Sequence, residues 1–382
     1  MQVLFVYDSL SDIGGGSQVT TLNLFLNYKK NGITVKLLTT KKIFEIEPTI
    51  SYKDVILVKE WDLRAIYPCS IGWPFFNQEI KKQLADFNPQ VIHLNEPSFV
   101  TARMSIFAKA SKIPVIDHFH TNHSEIKIAT FPLSLFFNGN GIGNYLQSLL
   151  KKYNMKNSSV VIAPTKSIAN TLRKNVATRV EIIPYSIPDN FFTIKKRIKR
   201  KPTKLVFMSR FDNHKKIKEL IQVMKLVETS FTLDIYGDGP QKKELEDKII
   251  NLQLQKCVKL KYWVAQRDLP EVLGNYDIFI SLSDFETFGL TYIESLATGL
   301  PCIVYDYKTT REILPKSMVV FVKDFKPQSW ARALLELQNS AEKYKKLVEN
   351  IGAEYSKLYV FKAKSVVSSI IEIDKSLVTQ KK

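Results

Sequence analysis

Short apolar runs alternate with amphipathic stretches along this chain. A short apolar run between polar turns is typical of a strand that a parallel sheet buries on both faces. Helical patterns lie between the runs, for example at Val19–Asn31 and Glu79–Phe87. This alternation predicts a doubly wound α/β sheet. In the first half of the chain the runs predict strands at Val3–Tyr7, Thr34–Thr39, Val91–Leu94, Val115–Phe119 and Val160–Ala163.

The same alternation begins again after residue 203. A chain of 382 residues is longer than a single hydrophobic core usually supports, so a second domain is expected. Late helical patterns follow at Ser329–Leu337, Ala341–Tyr355 and Val366–Ser376. The strands predicted here are Leu205–Met208, Thr232–Tyr236, Val258–Leu260, Ile278–Ser281, Cys302–Tyr305 and Val319–Val322.

We therefore predict an α/β protein with two Rossmann-like, doubly wound domains that face a central cleft. The first domain covers residues 1–190, and the second covers residues 204–360. A basic linker at 191–203 joins them, and a helix within 361–382 is expected to return to the first domain.

The segment from Ser283 to Pro301 carries the most informative chemistry. Glu286 lies in a polar turn after a predicted strand, Gly289 precedes a predicted helix, and Glu294 lies on that helix. Ligands bind at the carboxyl ends of strands in open α/β sheets, and a helix N-terminus there favours an anion. Carboxylates beside that anion suit hydroxyl donors. A ligand with a diphosphate between two groups of hydroxyls is a nucleotide sugar.

In each predicted domain, the loop after the first strand adds candidate ligand contacts. Arg210 and Lys215 follow Leu205–Met208 and suit a diphosphate. Taken alone they would be two solvent-facing basic residues, but the Glu286–Glu294 segment opposite them favours the diphosphate. Gly14, Gly15 and Gly16 follow the first strand of the chain. Their spacing is not that of a dinucleotide fingerprint, and a plain flexible turn is equally compatible with it.

The composition favours a globular protein with an anionic surface as partner. The net charge is +18, the pI is about 9.5 and the mean hydropathy is −0.10. The densest basic run, Lys195–Lys201, is either a solvated linker or a contact with anionic lipid. Nucleic acid is disfavoured because no recognition motif is present.

The chain also lacks the sequence marks of secretion and of membrane spanning. The three cysteines are widely spaced, which excludes a disulfide framework and fits a reducing cytoplasm. No apolar run is long enough to span a bilayer, and the N-terminus does not have the pattern of a signal peptide. Three histidines lie close together, but their tandem spacing disfavours a metal site; these are His118, His120 and His123.

These motifs together resemble the retaining GT-B glycosyltransferases of family 4, over nearly the whole chain. The resemblance rests on the E-x₇-E pair Glu286 and Glu294, on Ser209-Arg210 with Lys215, on Gly237-Asp238-Gly239-Pro240, on Gly15-Gly16 with Gly32 and Val35, and on Ala297-Thr298-Gly299-Leu300-Pro301. Three positions depart from the family pattern. Lys216 stands where the family has a glycine, and Tyr185-Ser186 stands where it has Asn-Gly. The usual glycine near Tyr262-Trp263-Val264 is missing.

The resemblance implies a role for each matched residue. The first domain would bind the acceptor and the second the nucleotide sugar. Arg210 and Lys215 would bind the donor diphosphate, Glu294 the ribose hydroxyls, and Glu286 the hydroxyls of the donor sugar. The implied reaction is a front-face displacement with retention, without a metal or another cofactor. Further donor contacts are implied for Gly15, Gly16, Gly237, Phe288, Gly289 and Leu290.

A looser resemblance concerns the acceptor. The pair His120-Thr121 matches a family pair that contacts the donor sugar across the cleft, although an exposed loop histidine is the alternative. With Glu125 and Val91–Pro97, it is similar to bacterial diacylglycerol glucosyltransferases. Phe131–Phe137 and the helical pattern Ile142–Tyr153 either lie in a bilayer interface or pack on the sheet.

The resulting hypothesis is hexosyl transfer, with UDP-glucose as donor and a membrane lipid such as diacylglycerol as acceptor. The enzyme would lie in the cytoplasm, peripheral on the inner face of the membrane. One alternative is a transferase that acts on a cell-wall polymer, teichoic acid or lipid-linked polysaccharide. The other is a non-catalytic GT-B partner subunit.

Overall fold

The computed structural model describes residues 1–8, 10, 15–62, 70–120, 142–192 and 201–380. The chain divides into two compact units. The first combines Met1–Ser186 with Ala363–Lys382, and the second is Ile187–Lys362. The sequence predicts the corresponding boundaries at residues 190 and 361. The predicted fold class, with two Rossmann-like parallel sheets, is confirmed.

Within its described residues, the first unit contains a seven-stranded parallel sheet with the strand order β3-β2-β1-β6-β7-β8-β9. A separate antiparallel pair joins β4 to β5. The strands are β1 Gln2–Val6, β2 Thr34–Thr39, β3 Val55–Leu57, β4 Glu60–Asp62, β5 Ser70–Gly72, β6 Val91–Leu94, β7 Val115–His118, β8 Val160–Ala163 and β9 Arg179–Ile182.

The helices of the first unit cover both faces of this sheet. They are α1 Gly16–Lys30, α2 Ile43–Ile46, α3 Gln78–Phe87, α4 Phe99–Ala110, α5 Ile142–Asn157, α6 Lys166–Asn175 and α14 Ala363–Gln380. Side chains alternate across a strand, so Val3 and Phe5 of β1 join one core, while Leu4 and Val6 join the other. Helices α1 and α14 pack on the first face, and α3 and α4 pack on the second.

The second unit, over its described residues, has a six-stranded parallel sheet with the order β12-β11-β10-β13-β14-β15. Its strands are β10 Lys204–Met208, β11 Thr232–Tyr236, β12 Val258–Lys261, β13 Ile278–Ser281, β14 Cys302–Tyr305 and β15 Val319–Val322. Its helices are α7 Ile217–Val227, α8 Lys242–Asn251, α9 Leu269–Gly274, α10 Leu290–Ala297, α11 Lys308–Ile313, α12 Pro327–Asn339 and α13 Ala341–Ala353.

The apolar runs located the central strands to within a residue or two, but the sequence prediction missed shorter or more polar ones. Val55–Leu57 is only three residues long, and Arg179–Ile182 at the sheet edge alternates polar and apolar residues. The antiparallel pair of β4 and β5 was also not predicted. Edge strands carry a weaker apolar signal because only part of their surface is buried.

Among the described residues, no helix is both long enough and apolar enough to cross a membrane. Two segments on which the membrane hypothesis relied lie outside the described residues. These are most of the basic run Lys195–Lys201 and the aromatic segment Phe131–Phe137.

The packing of α14 on the first sheet predicts the effect of truncating one side chain. Ile370 is buried in this core, so Ile370→Ala is expected to lower the free energy of unfolding by about 2–5 kcal/mol. Thermal unfolding followed by circular dichroism would show this as a lower midpoint for the first unit. Ser368→Ala, at an exposed position of the same helix, is the matched control. Equal midpoints for the two variants would contradict this packing.

Candidate active site

The candidate donor site of the second unit lies where the strand order reverses. Strand β10 pairs with β11 on one side and with β13 on the other. Open α/β sheets bind ligands at such a switch point, outside the carboxyl ends of the strands. The segments after β10, β11 and β13 contain most of the residues that the sequence analysis singled out in this unit.

Gly237 allows the turn after β11 to approach the end of β10. Its φ angle is +147°, and a Cβ atom added there would lie 1.9 Å from the backbone oxygen of Ser209. Any side chain would therefore push the two strand ends apart. This contact holds the backbone of Ser209, next to Arg210, in place.

Gly289 places the first turn of α10 at the carboxyl end of β13. It has a φ angle of +84°, and an added Cβ would meet the Tyr292 ring at 2.5 Å. Among the described residues no side chain caps this helix, so the N–H groups of its first turn lack a side-chain acceptor. A helix start of this kind favours an anion beside Gly289 and Leu290.

The two cations predicted to bind a diphosphate each pair with a carboxylate. Lys215 Nζ lies 2.5 Å from Glu286 Oε1, with both side chains mostly buried. Arg210 Nε lies 3.2 Å from Asp212 Oδ2. The fold thus brings Lys215 and Glu286 into direct contact, which sequence spacing did not predict. A diphosphate entering the site would compete with these carboxylates for the cations.

Glu294 is buried on α10, with 4% of its surface exposed. Gln266 Nε2 donates a hydrogen bond to its Oε1 at 3.2 Å. Burial raises the pKa of Glu294 to about 7, although the hydrogen bond from Gln266 opposes the rise. A carboxyl in this state has unused acceptor capacity for hydroxyl groups once it is ionised.

Phe288 and His214 lie next to these site residues in the sequence. The Phe288 side chain is buried, with its ring 5.7 Å from that of Phe361, so a ligand would meet Phe288 through its backbone. Burial and the charges of Lys215 and Arg210 lower the pKa of His214 to about 3, so its imidazole is neutral.

Lys216 replaces the usual family glycine, yet its φ angle of 53° is left-handed. That backbone conformation is one that glycine adopts without steric strain, so the position suits the glycine of the family pattern.

In the first unit, Gly15 and Gly16 form the start of α1. Gly15 is extended and precedes the first helical residue, Gly16. The first turn contains no acidic residue, and no side chain among the described residues caps it. Gly14 lies outside the described residues. The carboxyl of Glu96 hydrogen-bonds Ser17 in this first turn. The donor contacts of Gly15 and Gly16 stay a prediction.

His120 is buried, which excludes the alternative of an exposed loop histidine. Its Nδ1 lies 3.0 Å from the Tyr185 hydroxyl, and its Nε2 lies 3.4 Å from Asn95 Oδ1. Burial, helped by the charge of Lys151, lowers the pKa of His120 to about 3. The ring is therefore neutral and acts through hydrogen bonds. Its partner in the predicted motif, Thr121, is outside the described residues.

Three carboxyl groups lie at the carboxyl ends of β1, β6 and β7. Burial raises the pKa of Asp8 to about 6, that of Glu96 to about 7 and that of Asp117 to about 8. The ammonium of Lys151 limits the rise for Glu96 and Asp117, and it lies 3.3 Å from the centroid of the Phe119 ring. The charge of Lys151 thus acts on Glu96, on Asp117 and on His120.

Sequence reasoning missed several residues that hold the site together, namely Asn95, Tyr185, Asp212 and Gln266. Asp212 pairs with Arg210 only two positions away. Asn95, Tyr185 and Gln266 meet their partners only after elements distant in sequence have come together, so no local pattern marks these three. Over the part of the chain that the structure describes, no group of three or more His, Cys, Asp or Glu is arranged to hold a metal ion.

Two protein families match this chain, one in each half. Residues 14–191 match Glycosyltransferase Family 4, and residues 189–353 match Glycosyl transferases group 1. Among solved structures, HepE from Anabaena in complex with UDP and glucose has a TM-score of 0.74 at 16% identity. The match covers 98% of this chain and all of that one, and at this identity it shows the fold alone.

Two relatives carry the same name, alpha-monoglucosyldiacylglycerol synthase. The protein from Streptococcus pneumoniae is 26% identical over 245 residues, which is 59% of this chain and 53% of that protein. The protein from Acholeplasma laidlawii is 24% identical over 313 residues, or 76% of this chain and 77% of that one. This chain thus spans about half the length of the pneumococcal relative. The chain belongs to the GT-B glycosyltransferases, with a family 4 domain in its first half and a group 1 domain in its second.

Proposed function

We propose that the protein transfers glucose from UDP-glucose to a membrane lipid such as diacylglycerol, with retention at the anomeric carbon. The observation that carries the donor side is the arrangement around α10. Lys215 contacts Glu286 beside the uncapped start of this helix, and Glu294 is buried on the same helix. Cations, a helix N-terminus and two carboxylates match the phosphates and hydroxyls of a nucleotide sugar.

Each group has a distinct part in the proposed reaction. Arg210, Lys215 and the N–H groups at Gly289 and Leu290 bind the diphosphate and stabilise the charge that develops on the leaving nucleotide. Glu294 accepts hydrogen bonds from the ribose hydroxyls. Once a phosphate engages Lys215, Glu286 is free to accept hydroxyls of the sugar, close to the positive charge at its anomeric carbon.

The first unit supplies the residues proposed to meet the sugar and the acceptor. The Tyr185 hydroxyl donates to the Phe119 carbonyl, so Nδ1 of the neutral His120 donates to Tyr185, and its Nε2 can accept a hydrogen bond from a sugar hydroxyl. The acceptor itself is proposed from the two relatives named alpha-monoglucosyldiacylglycerol synthase. The net charge of +18 is compatible with an anionic membrane surface as partner. We therefore propose a peripheral location on the inner face of the cell membrane.

The decisive test is product formation by wild type and Glu286→Gln. A panel of UDP- and GDP-sugars is offered with diacylglycerol in anionic liposomes, and a reaction without lipid reports donor hydrolysis. We expect a glucolipid from UDP-glucose in wild type. Glu286→Gln is expected to lower kcat by about 100-fold or more because the carboxylate no longer stabilises the developing charge. UDP affinity should be retained, since Lys215 loses a competing carboxylate.

Glu244→Gln is the matched control, because Glu244 also pairs with a lysine at 2.5 Å but on the surface. It should turn over like wild type. Hydrolysis of the donor without a lipid product would keep the transferase and move the acceptor to a wall polymer, teichoic acid or lipid-linked polysaccharide. Neither product nor hydrolysis, with UDP still bound, would indicate a non-catalytic partner. Wild-type turnover by Glu286→Gln would refute the assignment of this carboxylate.

Lys215→Ala is expected to weaken UDP-glucose binding by about 10- to 100-fold. It removes a charge-assisted hydrogen bond to the diphosphate and leaves Glu286 to repel it. Isothermal titration calorimetry measures the change, and Lys218→Ala is the control because Lys218 forms a comparable but exposed pair with Glu244. If both variants bind the donor equally well, the diphosphate does not lie at Lys215.

The raised pKa of Glu294 predicts that donor binding depends on pH. Its ordinary value is 4.5 and its value in the folded protein is about 7. Between these values only the folded state keeps the proton, so the group makes the fold less stable as pH rises. Donor binding follows the opposite course, because the ribose hydroxyls need the ionised acceptor. The affinity for UDP-glucose should therefore rise by about tenfold from pH 6 to pH 8.

The Glu294→Gln variant tests whether the pH dependence of donor binding comes from Glu294. The diphosphate of a nucleotide sugar does not titrate in this range, but Asp8, Glu96 and Asp117 in the first unit do. A flat profile in Glu294→Gln would assign the pH dependence to Glu294. The wild-type slope in that variant would assign it to another carboxyl.

A further inference from the structure

The C-terminal helix α14 contributes a buried carboxylate to the first unit. Asp374 is fully buried, and both of its oxygens have hydrogen-bond partners. The Tyr28 hydroxyl donates to Oδ2 at 2.7 Å, and Oδ1 lies 2.9 Å from Nε2 of His93. In the described part of the chain, no lysine or arginine pairs with Asp374. Desolvating a carboxylate without a cation is unfavourable, so stability alone gives no reason for its presence.

Asp374 determines which nitrogen of His93 carries hydrogen. A carboxylate only accepts hydrogen bonds, so Nε2 of His93 must donate. A neutral ring with hydrogen on Nε2 carries its lone pair on Nδ1. In His93 that nitrogen lies 2.9 Å from Nε2 of His118, and both rings are buried. With His93 in this form, Nε2 of His118 donates to it, and the lone pair of His118 is on Nδ1.

His118 connects this hydrogen-bonded chain to His120. Burial, with His93 and His120 as neighbours, holds the pKa of His118 well below its usual range, so its ring is neutral. Its plane is within 7° of that of His120, with the ring centroids 5.8 Å apart. The rings of His93 and His118 are also stacked, with centroids at 5.1 Å. The three rings thus lie in one sequence, from α14 to the candidate site.

We propose that Asp374 is a positioning residue for the transfer reaction. Acting through His93, it fixes the tautomer and orientation of His118, the ring beside which His120 is held. This inference rests on the proposed function, in which His120 contacts the donor sugar. In the opposite tautomers of His93 and His118, the nitrogen that donates and the nitrogen that carries the lone pair would be exchanged on each ring. The hydrogen bonds that these rings can form next to His120 would then change.

The substitution Asp374→Asn tests the proposal with little change in shape. The Asn oxygen can still accept from Tyr28, while its amide donates to Nε2 of His93. Both rings should then carry hydrogen on Nδ1. In hydrolases with a buried Asp–His pair, the same substitution keeps the geometry and yields the wrong tautomer.

Nitrogen NMR of ¹⁵N-histidine-labelled protein reads the tautomers directly. The chain has only five histidines, so single His→Gln variants assign every ring. Wild type should show Nε2–H for His93 and His118, and Asp374→Asn should show Nδ1–H for both. We expect kcat of Asp374→Asn to fall by about 10- to 100-fold with an unchanged KM for the donor, as for other residues that orient a functional histidine.

Tyr28→Phe is the control for a merely structural role. It removes the other hydrogen bond to the same carboxylate, but it leaves the bond to His93 and should keep both the tautomers and kcat of wild type. An equal loss of kcat in this variant would overturn the proposal. Wild type by itself would overturn the proposal if its NMR spectrum showed His93 as an imidazolium or with hydrogen on Nδ1. Inverted tautomers in Asp374→Asn together with a normal kcat would also overturn it.

Two further measurements apply if Asp374→Asn does not fold or if wild type is inactive. If Asp374→Asn does not fold, His93→Gln breaks the chain one step later and should lower kcat in the same way; a wild-type kcat there overturns the proposal. If wild type transfers no sugar, the proposed function fails, and the positioning role with it. The tautomers in the NMR spectrum still show separately whether Asp374 orders the two rings.

Discussion

The parallel pairing of β10 with β13 is the constraint on which the candidate donor site depends. It sets Leu205 opposite Ile278, so the segments that follow the two strands leave the sheet at the same edge. Lys215 can reach Glu286 only because of this pairing. Since the strands of this sheet are parallel, a helix start also lies at this edge, and α10 presents its first turn beside the same ion pair.

The buried polar groups of the two units have different kinds of hydrogen-bond and charge partners. In the second unit, carboxylates and cations pair directly, as Lys215 does with Glu286, so the charges stay partly exposed and accessible to a ligand. In the first unit, imidazole rings are partners of a buried carboxylate and of one another. His93, His118 and His120 lie in the interior, and the carboxylate of Asp374 meets only hydroxyl and imidazole partners in the described part of the chain. The first arrangement suits phosphate binding, and the second suits the ordering of hydrogen bonds.

The sequence predicted the central strands and marked special backbone positions, for identifiable reasons. Runs such as Ile278–Ser281 are apolar throughout because both faces of the strand are covered, and Gly289 and Gly237 occupy backbone positions that other residues enter only with strain or a clash. The edge strand Arg179–Ile182 was missed because its pattern is mixed. Gln266 and Tyr185 were missed because each finds its hydrogen-bond partner on a distant element.

By itself, the sequence determined the fold class, the family and the candidate donor residues, because these depend on local apolar periodicity and on short motifs such as Glu286 to Glu294. Tertiary structure alone decided which charges pair, which carboxyls are buried enough to titrate near neutral pH, and which partners the ring nitrogens of the histidines meet. These properties depend on distances between residues far apart in the chain. Asp374 and His93, for example, are 281 positions apart yet share a hydrogen bond of 2.9 Å.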